Sequence, residues 1–141
     1  MPDNITTSDP VAEVAERALK KTSVITLDGW SDTDQRYLFV APYDCTIDQV
    51  WLVSDTTHAA HDTNYYSFQV QNLTAAAALL SSAQTTQITG GTAITEDAPY
   101  AVSPDQNKTI SDGDVLELQI TGAGTPVTLA NAEIVGVVEY T

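Results

Sequence analysis

The residues best suited to chemistry lie together in one short segment, DTTHAAHD. It contains both histidines of the chain, His58 and His61. A separation of three residues places two side chains on one face of a helical turn, where Asp55 and Asp62 would complete a four-ligand shell. The segment therefore predicts a candidate metal site made of these four residues. Two alternatives stay open: a solvated polar loop, or a pH-sensitive contact, because histidine changes charge near neutrality.

A second group of possible ligands follows further along the chain. Asp105, Asn107, Asp112 and Asp114 supply the hard oxygen donors that calcium prefers. The segment lacks the central glycine that a calcium-binding loop uses for its sharp turn, and it is also typical of a solvated connection between strands. We expect no cofactor, and loosely bound cations at most.

Three Asn-Xaa-Thr triplets occur, at Asn4, Asn72 and Asn107. Each is a potential acceptor of an N-linked glycan. Chance matches are expected in a chain rich in threonine, so the triplets do not establish glycosylation.

The sequence contains no recognisable complete set of catalytic groups. A serine or cysteine nucleophile needs a positioned base, and both histidines lie in one short segment. Cys45 is the single cysteine, and such a residue is more often small and buried than reactive. The chain has no Gly-Xaa-Ser-Xaa-Gly sequence and no phosphate-binding glycine loop. We therefore expect a protein that is not an enzyme.

From residue 22 onward the sequence has the period of β-strands separated by Gly, Pro, Asp and Asn. Tyr66, Phe68 and Val70 alternate with polar residues, which indicates a sheet with one buried face. The pattern predicts an antiparallel β-sandwich of about eight strands, jelly-roll-like, over residues 22–141. The predicted strands are Ser23 to Leu27, Arg36 to Ala41, Ile47 to Ser54, Tyr65 to Gln71, Gln84 to Thr89, Tyr100 to Val102, Val115 to Thr121 and Glu133 to Thr141.

Two of these strands are apolar on both faces, at Val50 to Val53 and at Ile134 to Val138. One face would pack on the other sheet, and a second subunit could cover the other. Trp51 lies in the more apolar strand and is interpreted as a core residue. Trp30, in the loop sequence LDGWSD, is interpreted as an anchor at an interface.

Residues 1–21 are predicted to form an N-terminal arm with one amphipathic helix. Asp9 can cap the helix, Pro10 suits its first position, and Lys20 and Lys21 complement the negative end of its dipole. Such a short helix is marginal alone and needs a surface on which to dock. The predicted docking residues are Val11, Val14, Ala15, Ala18 and Leu19 in the apolar stripe, with Arg17, Lys20 and Lys21 as the basic cluster.

The charge of the chain is strongly acidic and unevenly distributed. After residue 21, 15 Asp and Glu accompany only Arg36 and Lys108, so this part carries −13 of the net charge of −14. Nucleic acid is excluded as a partner, because phosphate binding needs clustered Lys and Arg. The acidity instead suits a solvent of high salt, which screens repulsion between copies. No apolar run is long enough to span a membrane. We therefore do not expect a membrane as a partner.

Three segments resemble small structural proteins of tailed viruses. They are FVAPYDCTIDQVWLVSD from Phe39, YYSFQVQN from Tyr65, and ISDGDVLELQITGAGTPVTLANAEIVGVVEY from Ile110. In those proteins an aromatic-Xaa-Ala-Pro strand end, an Asp-Gly-Asp-Val-Leu turn and a closing strand ending in tyrosine recur around an eight-stranded sandwich. The chain departs from the family in its acidity and at Cys45, where glycine would suit the turn better.

The resemblance implies a protein of the virion that acts by assembly. The expected role is capsid decoration or a minor head protein, forming a homo-oligomer, often a trimer, on the major capsid protein or another virion protein. The acidity points to a halophilic host. The alternative is a carbohydrate- or receptor-binding module of a turret, tail or fibre, with a pocket between the loops Asp55 to Asn64 and Gly90 to Tyr100. That pocket would expose Trp30, Tyr65 and Tyr100.

Overall fold

The computed structural model describes residues 20–141, and all of its regular elements are β-strands. The predicted helix and most of the predicted arm lie outside the described residues. The strands are β1 (Lys21–Thr26), β2 (Asp34–Val40), β3 (Cys45–Ser54), β4 (Tyr65–Asn72), β5 (Ala77–Ala78), β6 (Gln84–Thr85), β7 (Pro99–Ala101), β8 (Thr109–Ile110), β9 (Val115–Ala123) and β10 (Ile134–Tyr140).

These strands form two antiparallel sheets that pack face to face. Sheet A has the order β1-β10-β3-β7, with β8 also paired to β3. Sheet B has the order β2-β9-β4-β5, with β6 also paired to β4. Early and late strands therefore alternate through β1-β10-β3-β7 and through β2-β9-β4, as in the double-sheet jelly roll. The predicted fold class of the described residues is confirmed, and each of the eight predicted strands overlaps an observed one.

The core is a cluster of aromatic rings surrounded by aliphatic side chains from both sheets. Trp30 is 1% exposed and contacts Phe68 edge-on at 5.7 Å between ring centroids. Phe68 in turn contacts Tyr100 at 5.6 Å. Trp30 also lies 6.3 Å from Tyr66, at nearly a right angle. Such edge-to-face contacts add to the stabilisation from buried area.

The interpretation of Trp30 as an interface anchor is wrong, because the turn before it directs the ring into the core. Leu129 donates its backbone N–H to the Trp30 carbonyl at 2.7 Å. A Cβ on Gly29 would lie 1.8 Å from the Leu129 carbonyl oxygen, so only glycine allows this approach. Arg36 holds the same turn by donating to the carbonyls of Leu27 and Gly29, each at 2.8 Å.

A β-bulge determines which residues of β3 face the core. Tyr140 pairs with Ile47 and Glu139 pairs with Gln49, so Asp48 has no partner in β10. The extra residue shifts the alternation by one position. Ile47 and Val50 are therefore both fully buried, although they are three positions apart.

The same bulge places Trp51 on the outside of sheet A, where it is half-buried. The interpretation of Trp51 as a core residue is therefore wrong. The sequence pattern could not show which residues of β3 face the core, because β3 is apolar at both Val50 and Trp51.

We expect the two tryptophans to differ in their contribution to folding. Trp30→Ala removes a fully buried ring and should lower the free energy of unfolding by about 3 to 5 kcal/mol. Trp51→Ala should cost about 1 kcal/mol, because its ring is partly solvated in the folded state. Urea unfolding followed by circular dichroism measures both. A larger loss for Trp51→Ala would show that the assignment of the two faces is incorrect.

Candidate interaction surface

The outer side of sheet A carries a continuous apolar surface. The pairing registers of β1, β10, β3 and β7 align outward residues into two rows that cross all four strands. Seven of these eight residues are apolar, and we call the set the apolar face. The first row is Val24, Val137, Trp51 and Ala101, and the second is Thr26, Val135, Val53 and Pro99.

Within residues 20–141, the apolar face is partly exposed to solvent. Val24, on the edge strand, is 63% exposed. Val135, Val137 and Val53 are half-buried. Burying such a surface is favourable by roughly 25 cal/mol per Å² of apolar area. The face therefore has the composition of an interface core rather than of ordinary solvated sheet.

A polar border marks one limit of the apolar face. Trp51 donates its indole N–H to Glu139 at 3.0 Å, which satisfies the only polar atom of the ring. Gln49, paired with Glu139, donates to the Ser103 hydroxyl at 3.1 Å. Because the Trp51 indole is already hydrogen-bonded, a partner can cover its ring without leaving a buried N–H unsatisfied.

The outer side of sheet B is more polar at its centre, although Tyr37 and Val40 on its edge strand β2 are 70% and 61% exposed. Its central row joins Gln35, Gln119 and Gln69, and the adjacent row pairs Ser67 with Thr121. Glu117 also lies on this side and accepts a hydrogen bond from Gln119 at 3.2 Å. Polar side chains therefore predominate in the central rows of the outer side of sheet B, whereas apolar side chains predominate on that of sheet A.

The predicted metal site is not assembled. His58 is 2% exposed, whereas His61 is exposed and its Nδ1 accepts backbone N–H bonds from Thr63 and Asn64. Asp55 accepts from the Glu133 N–H at 2.9 Å, and Asp62 accepts from the Thr89 N–H at 2.8 Å. Within residues 20–141 no three His, Cys, Asp or Glu side chains are grouped as metal ligands. The segment is not helical, so the spacing of three does not place the two rings on one face.

In the candidate calcium segment, two of the carboxylates also accept hydrogen bonds from other groups of the protein. Asp105 accepts from the Ser81 backbone and hydroxyl, at 2.7 and 2.5 Å. Asp114 accepts from the Asn72 amide at 2.9 Å and from the Ser111 N–H at 3.0 Å. These donors hold the pKa of Asp114 below its usual value, the Asn72 amide most of all.

That arrangement also bears on the glycan triplets. Asn72 is 3% exposed and its amide nitrogen is hydrogen-bonded, so it is not available for attachment of a sugar. Asn107 is exposed and donates to the Ala78 carbonyl at 2.8 Å. Asn4 lies outside the described residues.

Cys45 is 5% exposed. Burial raises the pKa of its thiol, and the nearby Asp44 carboxylate raises it further. Reactive cysteines instead have a lowered pKa, so Cys45 has the features of a packing residue.

The two loops of the alternative binding module do meet, but they close against each other. His58 and Ile94 exchange backbone hydrogen bonds at 2.9 and 3.1 Å. Tyr100 is 3% exposed and donates its hydroxyl to the Thr85 carbonyl at 2.9 Å, and burial raises its pKa to about 12. With Trp30 also in the core, the predicted pocket with three exposed aromatic side chains is not formed. Of the three aromatic residues, Tyr65 is the least buried, and it is only partly exposed.

In residues 20–141 we find no helix with the length and apolar character needed to cross a lipid bilayer.

Solved structures of two viruses are distantly similar to this chain. No protein-family model matches the chain, and no curated protein matches it. The capsid asymmetric unit of cyanophage Pam1 is similar with a TM-score of 0.47 and 16% identity, over 86% of this chain and 84% of that chain. A structure of infectious bursal disease virus, Gx strain, is similar with a TM-score of 0.38 and 12% identity, over 86% of this chain. The match covers 32% of that second chain.

The buried histidine has a consequence for stability. Neither ring nitrogen of His58 has a hydrogen-bond partner among the described residues, and the ring lies 5.0 Å from that of Tyr66. Burial lowers the pKa of His58, because desolvation penalises the charged imidazolium. In the unfolded chain this side chain titrates near its ordinary value of about 6.5. The unfolded state therefore binds more protons below that value, and His58 destabilises the fold as the pH falls.

We expect His58→Phe to raise the free energy of unfolding and to reduce its pH dependence. The substitution keeps a ring beside Tyr66 and removes two unsatisfied nitrogens, each group of this kind costing about 1 to 3 kcal/mol. Thermal unfolding between about pH 8 and about pH 5 tests this, since the window brackets the titration of free histidine. His61→Asn is the control and should retain the loss of stability on acidification. An unchanged pH profile for His58→Phe would contradict the prediction.

Proposed function

We propose that this protein is a structural component of a virion, which assembles with copies of itself through the apolar face of sheet A. The observation that carries the proposal is the contrast between the two outer faces of the sandwich. One presents seven apolar residues in two aligned rows. The other has glutamine, serine and threonine in its central rows, with Tyr37 and Val40 exposed on its edge strand β2. A surface of this kind on a soluble sandwich marks a site of protein association.

The finer role that we propose is capsid decoration or a minor head protein of a tailed virus. Jelly-roll sandwiches serve as capsid and lectin domains, so the fold permits this role without requiring it. The strand and turn motifs beginning at Phe39, Tyr65 and Ile110 supply the resemblance to such proteins. Many weak contacts on a lattice act together, so a modest interface on each copy is enough for stable attachment.

The distribution of acidic residues fits association at high salt. Of the 15 Asp and Glu after residue 21, ten are exposed in the structure. Like charges repel across an approaching interface unless salt screens them, and the screening length falls to about 3 Å at 1 M salt. We therefore propose a halophilic host and a trimer that is favoured by salt. The exposed carboxylates are Asp28, Asp32, Asp44, Asp55, Asp62, Glu96, Asp97, Asp105, Asp112 and Glu133.

We expect the full chain to form a discrete oligomer, a trimer, whose stability increases as the salt is raised. Light scattering from about 0.1 M to about 3 M salt measures the mass while the screening length falls several-fold. Val137→Asp places a charge at the centre of the apolar face and should shift the equilibrium to monomer at every salt concentration.

Val115→Asp is the matched control, because Val115 is also half-buried and points outward, but from sheet B. It adds the same charge and should leave the oligomer intact. A wild-type chain that is monomeric at all salt concentrations would refute assembly through this face. Equal effects of the two substitutions would attribute assembly to total charge instead.

A further inference from the structure

We propose that β1 of one copy pairs antiparallel with β1 of a second copy, about a two-fold axis at Val24. The inference goes beyond the proposed function, because it assigns a second contact between copies at the edge of sheet A. It is carried by the form of this edge, by the direction of its backbone groups and by the charges at its two ends.

Within residues 20–141, β1 is the long edge strand that lacks the usual protection against further pairing. Its six residues keep an unbroken register with β10, and its one charged residue, Lys21, stands at its start. At the same side of the sandwich, β2 has a register shift and an ion pair between Asp34 and Arg36 at 2.7 Å. At the opposite side, β7 has three residues beginning with Pro99, and β5 and β6 have two residues each. Short strands, proline, bulges and charges are the features that protect sheet edges, and β1 has the fewest of them.

The outward backbone groups of β1 belong to Thr22, Val24 and Thr26. Leu27, directly after β1, donates its backbone N–H to the Ile134 carbonyl at 2.8 Å. Backbone groups alternate in direction along an antiparallel strand, so the odd-numbered residues of β1 bond to β10 and the even-numbered ones point away from it. In the part of the chain that the structure describes, β1 pairs with β10 alone. The edge therefore presents three N–H and three C=O groups to a partner strand.

These groups define a self-complementary register. Residues that exchange hydrogen bonds across two antiparallel strands must face each other. With the axis at Val24, each Val24 bonds to Val24 of the other copy, and each Thr22 bonds to Thr26 of the other copy. A register centred elsewhere leaves some of the outward groups without a partner. Pairing about Val24 is therefore the arrangement that uses all of them.

The same register joins the apolar faces of the two copies. Val24 is 63% exposed and stands at the end of the first row, beside Val137. Paired residues have their side chains on the same face of a sheet, so the two Val24 side chains would lie together. The four apolar residues of the first row would then continue into the same four of the second copy. The edge contact is thus continuous with the surface of the proposed function.

The charges beside β1 favour a second copy as the occupant. Residues 20–28 contain Lys20, Lys21 and Asp28, which is two bases less one acid, or +1, in a chain of net charge −14. Lys20 and Asp28 are both exposed, and each lies four residues from Val24. The register centred on Val24 therefore brings Lys20 of each copy opposite Asp28 of the other. Exposed ion pairs contribute little energy, but they favour this orientation of the two strands over others.

The edge contact is weak for one isolated pair of copies. Each backbone hydrogen bond between the copies replaces one with water, so its net contribution is small. Copies held side by side on a lattice have a high effective concentration, which favours the pairing. In dilute solution a covalent trap is needed to accumulate the paired form.

Disulfide trapping in the full chain tests the pairing and its register. Val24→Cys, Thr22→Cys and Thr26→Cys are each made in a Cys45→Ala background and oxidised with glutathione disulfide at high salt. We expect Val24→Cys to form covalent dimers, because bonded residues have Cα atoms about 5.5 Å apart, within the range of a disulfide. Thr22→Cys alone and Thr26→Cys alone should lose this cross-link, because each lies about 14 Å from its own copy, at about 3.4 Å per residue. A mixture of these two variants should form dimers that contain one chain of each kind.

The three positions are equally suitable as controls for one another, because all are exposed. Equal cross-linking of the three single variants would indicate random collision and overturn the inference. Dimers of Val24→Cys without mixed dimers of Thr22→Cys and Thr26→Cys would place the contact on the face instead, and would overturn it too.

Light scattering on the same variants separates this inference from the proposed function. A salt-dependent oligomer without dimers of Val24→Cys would overturn edge pairing and leave the proposed function standing. The expected cross-links in a chain that is otherwise monomeric at every salt concentration would support edge pairing and refute assembly through the apolar face. Reduction must reverse the cross-links, which separates them from aggregation.

Discussion

The register between β3 and β10 is the constraint on which the rest of the structure depends. Asp48 has no partner in β10, and this single extra residue sets the phase of the strand from Gln49 to Ser54. Because side chains alternate across a sheet, a shift of one position would exchange the inner and outer sets. Val50 and Leu52 would leave the core, and Trp51 would have to enter the space between the sheets. The core and the apolar face are thus two results of one register.

The aromatic core and the apolar face have different physical roles. Trp30, Tyr66 and Phe68 are within 6.4 Å of one another between ring centroids and join the loop before β2 to sheet B. They stabilise the single sandwich. Val137 and Trp51 are only partly buried in the sandwich, and the assembly that we propose would bury them further.

The acidity and the apolar face act in opposite directions, and salt shifts the balance between them. In the assembly that we propose, exposed carboxylates on the loops repel other copies at low ionic strength, while the valines of β10 and β3 favour association at any ionic strength. Screening weakens the first effect far more than the second. The proposed assembly would therefore respond to the salt concentration of the solvent.

The alternation of Tyr66, Phe68 and Val70, the turn residues and the acidic composition determined by themselves that the chain is an acidic β-sandwich, because period and charge are local properties. The apolar character of both faces of β3 and β10 was also readable, and it indicated a surface in need of cover. The tertiary structure decided the rest. It buried Trp30 through the close approach of Gly29 to Leu129, turned Trp51 outward through the bulge at Asp48, and separated His58 from His61 by pairing the former with Ile94. These outcomes depend on contacts between residues distant in the chain, which sequence spacing does not contain.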